Sequence, residues 1–387
     1  MIRDEEMLTL FVDTVSRFVK ERLVPSEECV ADEDKVPDEL IEEMRQMGLF
    51  GISIPEEYGG MGFTLEEEVM IAIELGKTSP AFRSVFGTNV GIGSQALVID
   101  GTEAQKTKYL PLMATGEFVG SFALTEPDVG SDAGAVKTTA KLVEGGYLIN
   151  GTKRFITNAP SANLFTVMAR TNENEPGARG VSAFIVDADL KGISIGKPEK
   201  KMGQHGTYVS DVIFSDCEVP RDALIGGREG VGFKTAMKVL DRGRIHIAAV
   251  CVGIANRLIN DSIRYATERR QFGKPIAEHQ LIQALIADSV AEQYAAQTMV
   301  IETARRHDDG KQVKIEAASS KMFASEMVGR VADRAVQIFG GAGYVAEYGI
   351  ERFYRDVRLF RIYEGTTQIQ QLVIAREAIK KTMEVLS

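Results

Sequence analysis

The chain has no tryptophan, only three cysteines and four histidines, and a single proline, Pro275, after residue 220. Each shortage closes off a class of protein. Cys29, Cys217 and Cys251 are scattered, odd in number and form no CxxC pair, so neither a disulfide framework nor a zinc site is expected. His205, His246, His279 and His307 show no HxxxH spacing and no paired carboxylate, so no metal is expected. No GxSxG elbow or Cys–His constellation supports nucleophilic catalysis. Basic residues are outnumbered, 45 Lys and Arg against 55 Asp and Glu, which disfavours nucleic acid as a partner. The start, MIRDEEMLTLFVDTV, is acidic, and no run of about 18 apolar residues occurs anywhere. Neither a signal peptide nor a membrane span is expected. The expected place is the cytoplasm, or the mitochondrial matrix for a processed eukaryotic chain.

What is present falls into three textures. Residues 4–24 read as an amphipathic helix, with Leu8, Phe11, Val12, Val15, Phe18 and Val19 on one face and Pro25 as its stop. Pro37 opens another helix, EYGGMG (57–62) breaks the pattern, and 64–113 is helical again with glycine interruptions at 87–93. From 118 the runs shorten. FVGSFAL (118–124), YLING (147–151), NLFTVMAR (163–170), GVSAFIVD (180–187) and DVIFSDCEV (211–219) are apolar or alternating strands between turn signals. They are not interleaved with helices, so a doubly wound parallel sheet is not expected. From 229, long helical patterns cover 229–267, 276–308, 312–339 and 366–384, lengths that suit a four-helix bundle. The apolar stretch IHIAAVCVGIA (245–255) fits a buried helix. The expected fold class is α+β, mostly α: an N-terminal helical domain (1–117), a middle β domain (118–226) and a C-terminal four-helix bundle (227–387).

Three places draw attention as chemistry. IFGGAGY (338–344) follows a helical pattern and lacks both GxGxxG spacing and a Walker lysine, so it reads as a helix-capping turn or a ligand loop of another kind. TEPDVGSD (125–132) ends a strand with hydroxyls, glycine and acids; it is an ordinary turn or a cradle for a polar ring or phosphate. In RIYEGTT (361–367) a lone carboxylate, Glu364, sits after an apolar approach and before a glycine at the mouth of a helix.

The blocks FALTEPDVGSDAG (122–134), NGTKRFITNAP (150–160), DRGRIHIAAVCVGIA (241–255), YATERRQFGKPIAEHQ (265–280), QIFGGAGY (337–344) and RIYEGTTQIQ (361–370) resemble, in order and spacing, those of the acyl-CoA dehydrogenase family. The resemblance covers nearly the whole chain. It implies a middle domain of β-barrel-like form, FAD as cofactor and a homotetramer built as a dimer of dimers. Glu364 matches the base that takes the α-proton of an acyl thioester. Phe122, Leu124, Thr125, Gly130 and Ser131 would line one face of the isoalloxazine, and Phe155, Ile156 and Thr157 another. Many relatives carry tryptophan where this chain has Phe155. Arg269, Phe272, His279, Gln280, Gln337, Gly340 and Gly341 match residues that reach the FAD of a neighbouring subunit. Thr366 and Gln368 would open a helix toward the flavin pyrophosphate. Ser131, Asp241, Arg244, Gly365 and Arg376 match contacts to the CoA arm. Near DRGR, where some relatives place their base, this chain has no glutamate.

In the family the product is a trans-2-enoyl-CoA, and electrons leave to an electron-transferring flavoprotein. Arg83, in AFRSVFGTNVG (81–91), resembles the arginine with which glutaryl-CoA dehydrogenase holds a distal carboxylate. A dicarboxylyl-CoA dehydrogenase is therefore the alternative. A flavin oxidase of the same fold, or a nucleic-acid-associated member without enzyme activity, are more distant ones.

Overall fold

A computed structural model of the chain describes residues 2–386. Helix α1 (Glu5–Phe18) begins where the Asp4 side chain accepts the Met7 N–H, and it buries Leu8, Val15 and Phe18. The expected stop at Pro25 does not occur. Val19–Leu23 forms a π turn in which the Val24 N–H reaches back five residues to the Val19 carbonyl. The chain then continues as α2 (Val24–Glu33), with Pro25 in the first turn, where its missing N–H costs little. Helix α3 (Asp38–Gln46) follows Pro37 and buries Leu40 and Met44. Helix α4 (Leu65–Leu75) opens on a Thr64–Glu67 capping box. After α5 (Pro80–Thr88) the glycine-rich segment Asn89–Gly93 is a second π turn, and α6 (Gln95–Asp100) and α7 (Glu103–Ala114) complete the helical part.

Seven strands form one curled sheet: β1 (Gly120–Ala123), β2 (Thr139–Val143), β3 (Gly146–Thr157), β4 (Leu164–Arg170), β5 (Val181–Asp187), β6 (Ile193–Ile195) and β7 (Val209–Pro220). Their order is β1-β4-β2-β3-β7-β6, with β5 also on β4. Pairing is antiparallel except for β4 with β1 and with β2. The strands β2 and β6 were not expected. The first is short and polar in part, and the second spans three residues on the sheet edge. Strand β3 slips register against β7 between Lys153 and Ile156, and this bulge turns Phe155 out of the sheet.

The C-terminal part is a bundle. Helix α8 (Gly232–Glu268) is followed by a two-residue-stranded hairpin, Arg270–Gln271 with Lys274–Pro275, and then by α9 (Gln280–Asp308), α10 (Lys314–Phe339), α11 (Ile350–Asp356) and α12 (Thr367–Leu386). Every residue of α8 from Gly243 to Ala255 is buried, because α4, α9 and α10 surround it. Full burial of side chains such as Ile245, Ile247, Val252 and Ile254 contributes about 1.5–3 kcal/mol each. The helix that carries the DRGR block is thus firmly seated. A second cluster, from Ala96 and Leu110 through Phe122 and Met168 to Ala236 and Val239, joins the sheet to both helical parts. Among the described residues no helix is long and apolar enough to cross a membrane.

Candidate active site

Where the three parts meet, a cavity of about 690 Å³ opens between α5, the ends of β1 and β3, α8 and α12. Its wall carries Arg83, Asp241, Arg244, Glu364, Gly365 and Arg376. On the sheet side it carries Phe122, Leu124, Thr125, Gly130, Ser131, Phe155, Ile156 and Thr157. Fourteen residues picked from separate blocks of sequence therefore face one space.

Glu364 lies between the short 3₁₀ turn Val357–Arg361 and α12. Its φ is +53°, and that of Gly365 is +92°. A left-handed glutamate costs roughly 1–2 kcal/mol, so its surroundings must hold it. Lys321 Nζ, from α10, donates to the Gly365 carbonyl at 2.7 Å. Gln370 Nε2 donates to the carbonyls of Glu364 and Gly365 at 3.0 and 3.1 Å. Arg244 Nε approaches the Glu364 carbonyl at 3.4 Å. With the backbone pinned, the side chain enters the cavity. Glu364 keeps some accessible surface because it borders that space, but its Oε2 is sealed and has no hydrogen-bond partner. Burial pushes the carboxyl above its ordinary range, and the cations of Arg83, Lys321 and Arg244 pull it partly back. Burial also draws the Lys321 ammonium down to about 8 against the pull of Glu364. The apolar approach contributes less than its sequence implies. Tyr363 packs against the bundle core, but Ile362 is 49% exposed.

The arginines divide by depth. Arg244 is buried and paired with Asp241 at 2.5 Å. Burial raises the Asp241 carboxyl, and Arg244 offsets part of that rise. Arg376 stands at the rim, its side chain 68% exposed and 3.4 Å from Glu377. Arg83 projects from α5 and donates through Nε to His246 Nε2 at 2.9 Å.

The sheet side rests on a pair that the sequence did not single out. Lys153 Nζ, wholly buried, donates to Glu126 Oε1 at 2.8 Å and to the Leu124 carbonyl at 3.1 Å. Glu126 also accepts from the Thr138 hydroxyl at 2.6 Å and from the amides of Lys137 and Thr138. This knot fixes the 124–131 loop against the β3 bulge. Both residues sit inside the quoted blocks, but nothing in their spacing announces the contact.

A second, open cleft of about 1310 Å³ lies at the far end of the bundle. Arg269, Phe272, His279, Gln280, Gly340 and Gly341 line it. Gln337, Thr366 and Gln368 lie outside the lining of both spaces. Thr366 instead accepts the Ile369 N–H at 3.2 Å and so caps α12 itself.

Two aromatic residues test whether FAD suits these walls. Phe155 is 56% exposed at φ +58°, and Phe272 is 93% exposed at φ +54°. An aromatic ring shown to water from a left-handed backbone is unfavourable on both counts. One borders each cleft, where a flat tricyclic ring or an adenine would cover it. The residues present fit the group.

The comparisons agree with this geometry. The acyl-CoA dehydrogenase N-terminal, middle and C-terminal domains match residues 5–117, 121–217 and 230–379. The chain is 43% identical over 383 residues to the acryloyl-CoA reductase (NADH) of Anaerotignum propionicum, covering 98% of this chain and 96% of that protein. It is 42% identical over 352 residues to the caffeyl-CoA reductase-Etf complex subunit CarC of Acetobacterium woodii, covering 91% and 92%. It superposes on butyryl-CoA dehydrogenase from Megasphaera elsdenii with a TM-score of 0.94 at 35% identity, covering 98% and 100%. With all three domains matched in order and a cavity lined from each, the chain belongs to the acyl-CoA dehydrogenase family, FAD-carrying oxidoreductases that act on CH–CH bonds.

Proposed function

We propose that the protein interconverts an acyl-CoA thioester and its trans-2-enoyl-CoA, with Glu364 as the base that takes the α-proton. One observation carries this reading: a carboxylate oxygen sealed without a partner, in a cavity whose opposite wall is the Phe122–Ser131 and Phe155–Thr157 face. An unpartnered, desolvated carboxylate is a stronger base than a solvated one. The pinned Glu364–Gly365 backbone aims it, and its N–H is the proposed donor to the thioester oxygen as negative charge grows there. Arg244 and Asp241 hold the thioester arm, and Arg376 meets CoA at the rim. FAD, when bound, supplies the acceptor for the hydride that leaves the β-carbon. Phe155, Ile156 and Thr157 cover its ring and keep water from the reacting carbons. Phe272, Arg269, His279 and Gln280, with Gln337, Gly340 and Gly341, are proposed to reach the cofactor of a second copy, so that a monomer has no complete cofactor site; the proposed assembly is a homotetramer built as a dimer of dimers. An electron-transferring flavoprotein is the proposed electron partner; the A. woodii relative's place in an Etf complex supports it.

Two reductases among the relatives favour a second reading of direction, enoyl-CoA reduction in the cell. The site is the same in both directions, and Glu364 then returns the proton. A separate observation favours a polar acyl tail. Arg83 makes a single hydrogen bond to the protein, through Nε, and the residue lines the cavity, leaving its other nitrogens without a protein partner. A dicarboxylyl substrate would satisfy them.

Anaerobic mixing with acyl-CoAs of graded length, branching and terminal charge tests the function. Bleaching of the flavin absorbance by one class identifies the substrate, and recovery on adding its enoyl-CoA establishes reversibility. No bleaching by any acyl-CoA, and no oxidation of the reduced protein by any enoyl-CoA, overturns the proposal. Peroxide release in air at the full turnover rate would make it an oxidase. Arg83→Ala should harm glutaryl-CoA more than butyryl-CoA; equal harm removes the dicarboxylyl reading.

A further inference from the structure

Four side chains from three helices form a buried line behind the cavity. Arg242 of α8 pairs with Glu68 of α4. Glu68 Oε1 meets His246 Nδ1 at 2.6 Å. His246 Nε2 takes the Arg83 Nε–H at 2.9 Å. Glu68 and His246 are each no more than 1% exposed. An arginine nitrogen only donates, so His246 Nε2 must be the acceptor and its proton must lie on Nδ1, donated to Glu68. The imidazole is therefore neutral, with one tautomer fixed from both sides.

We propose that His246, oriented by Glu68, is a positioning residue that keeps the Arg83 guanidinium off the carboxylate of Glu364. The need arises from the layout. Arg83 is long and flexible, and an unpartnered carboxylate oxygen lies in the same cavity. Released, the cation would be drawn to Glu364 and would neutralise the base in a direct pair. Held at Nε, it lends Glu364 a positive field without a direct pair and leaves its remaining N–H groups to the substrate. The charged and titratable groups facing His246 are Glu68 from α4, Arg83 from α5 and Arg242 from its own helix. Those facing Glu364 are Arg83, Lys321 from α10 and Arg244 from α8. The low titration of His246, caused first by burial and then by Arg83, agrees with a neutral ring.

The proposal rests on Glu364 as the base, and its test separates the two. In holoenzyme carrying ¹⁵N-histidine, only four ring systems need assignment. His246 should show the Nδ1–H neutral tautomer from pH 5 to 9; an Nε2–H tautomer or an imidazolium in that range overturns the proposal. No variant has to fold for this reading. In the reductive half-reaction, His246→Leu should move the acid limb of the pH profile down by about one unit and slow the rate at least tenfold. His246→Gln, which keeps an acceptor for Arg83, should restore most of both. In an Arg83→Met background, His246→Leu should move the limb no further. An equal shift in both backgrounds, or none in either, contradicts the hold on Arg83. Full turnover by Glu364→Gln would sink the base assignment but leave the tautomer unchanged.

Discussion

Gly243 of α8 faces the carboxylate of Glu364 so closely that a Cβ there would stand 2.6 Å from Oε2. The helix lacks a side chain where the proposed base needs room. Gly243→Ala should therefore push the carboxylate aside and slow proton abstraction at least tenfold. The fold should not suffer, because alanine is the better helix former by about 0.8–1 kcal/mol. Stopped-flow flavin bleaching beside urea unfolding checks both halves. An unchanged bleaching rate means that the carboxylate does not work from this position.

Glu364 also destabilises the folded chain in a pH-dependent way. Burial raises its folded pKa above the ordinary value of 4.5, so the folded state holds the proton more tightly than the unfolded state. The contribution of Glu364 is thus fully present below pH 4.5 and lost as pH rises through the folded pKa. Glutamine does not titrate. Glu364→Gln should unfold like the parent at pH 4 and become the more stable protein by pH 8, with about 1.4 kcal/mol for each unit of the rise. Urea midpoints at several pH values measure it; a difference that does not change with pH contradicts a raised carboxyl.

If Phe155 forms part of the proposed flavin wall, it couples cofactor binding to strain. Phe155→Gly relieves the left-handed backbone and removes an exposed ring, so the protein without flavin should gain about 1 kcal/mol. It also removes the ring under Arg154, whose guanidinium lies 4.9 Å from its centroid. The FAD dissociation constant, followed by flavin fluorescence, should rise about tenfold or more. Unchanged FAD affinity would remove Phe155 from the flavin wall.

The Lys153–Glu126 pair beneath the 124–131 loop is a matter of stability. Lys153→Met leaves a buried carboxylate without its cation and should cost about 3–5 kcal/mol. Adding Glu126→Gln should recover much of that loss. Thermal unfolding of the two single variants and the double variant gives the coupling. Additive losses would show that the pair does not act as a unit.

Much of this was legible along the chain, and the boundary of legibility is physical. The long helices α8, α9, α10 and α12 announce themselves because each runs for twenty residues or more with no proline inside it. Glu364 stands out because a lone acid between an apolar run and a glycine needs a reason. The π turn at Val19–Leu23 was invisible, since proline normally stops a helix and only the shifted hydrogen bond lets Pro25 through. Strands β2 and β6 are too short and too exposed to leave a pattern. The Arg83–His246–Glu68 line spans 163 and 178 residues of sequence between partners, so only folding reveals it. Lys321 is likewise hidden, because its partner is a backbone carbonyl that any residue at 365 would offer.

The most direct measurement is anaerobic titration of Glu364→Gln with the acyl-CoA that bleaches the parent protein. The variant should be yellow and bind FAD and the thioester with little change, yet lose bleaching by at least a thousandfold. Bleaching at the parental rate would show that another group takes the proton.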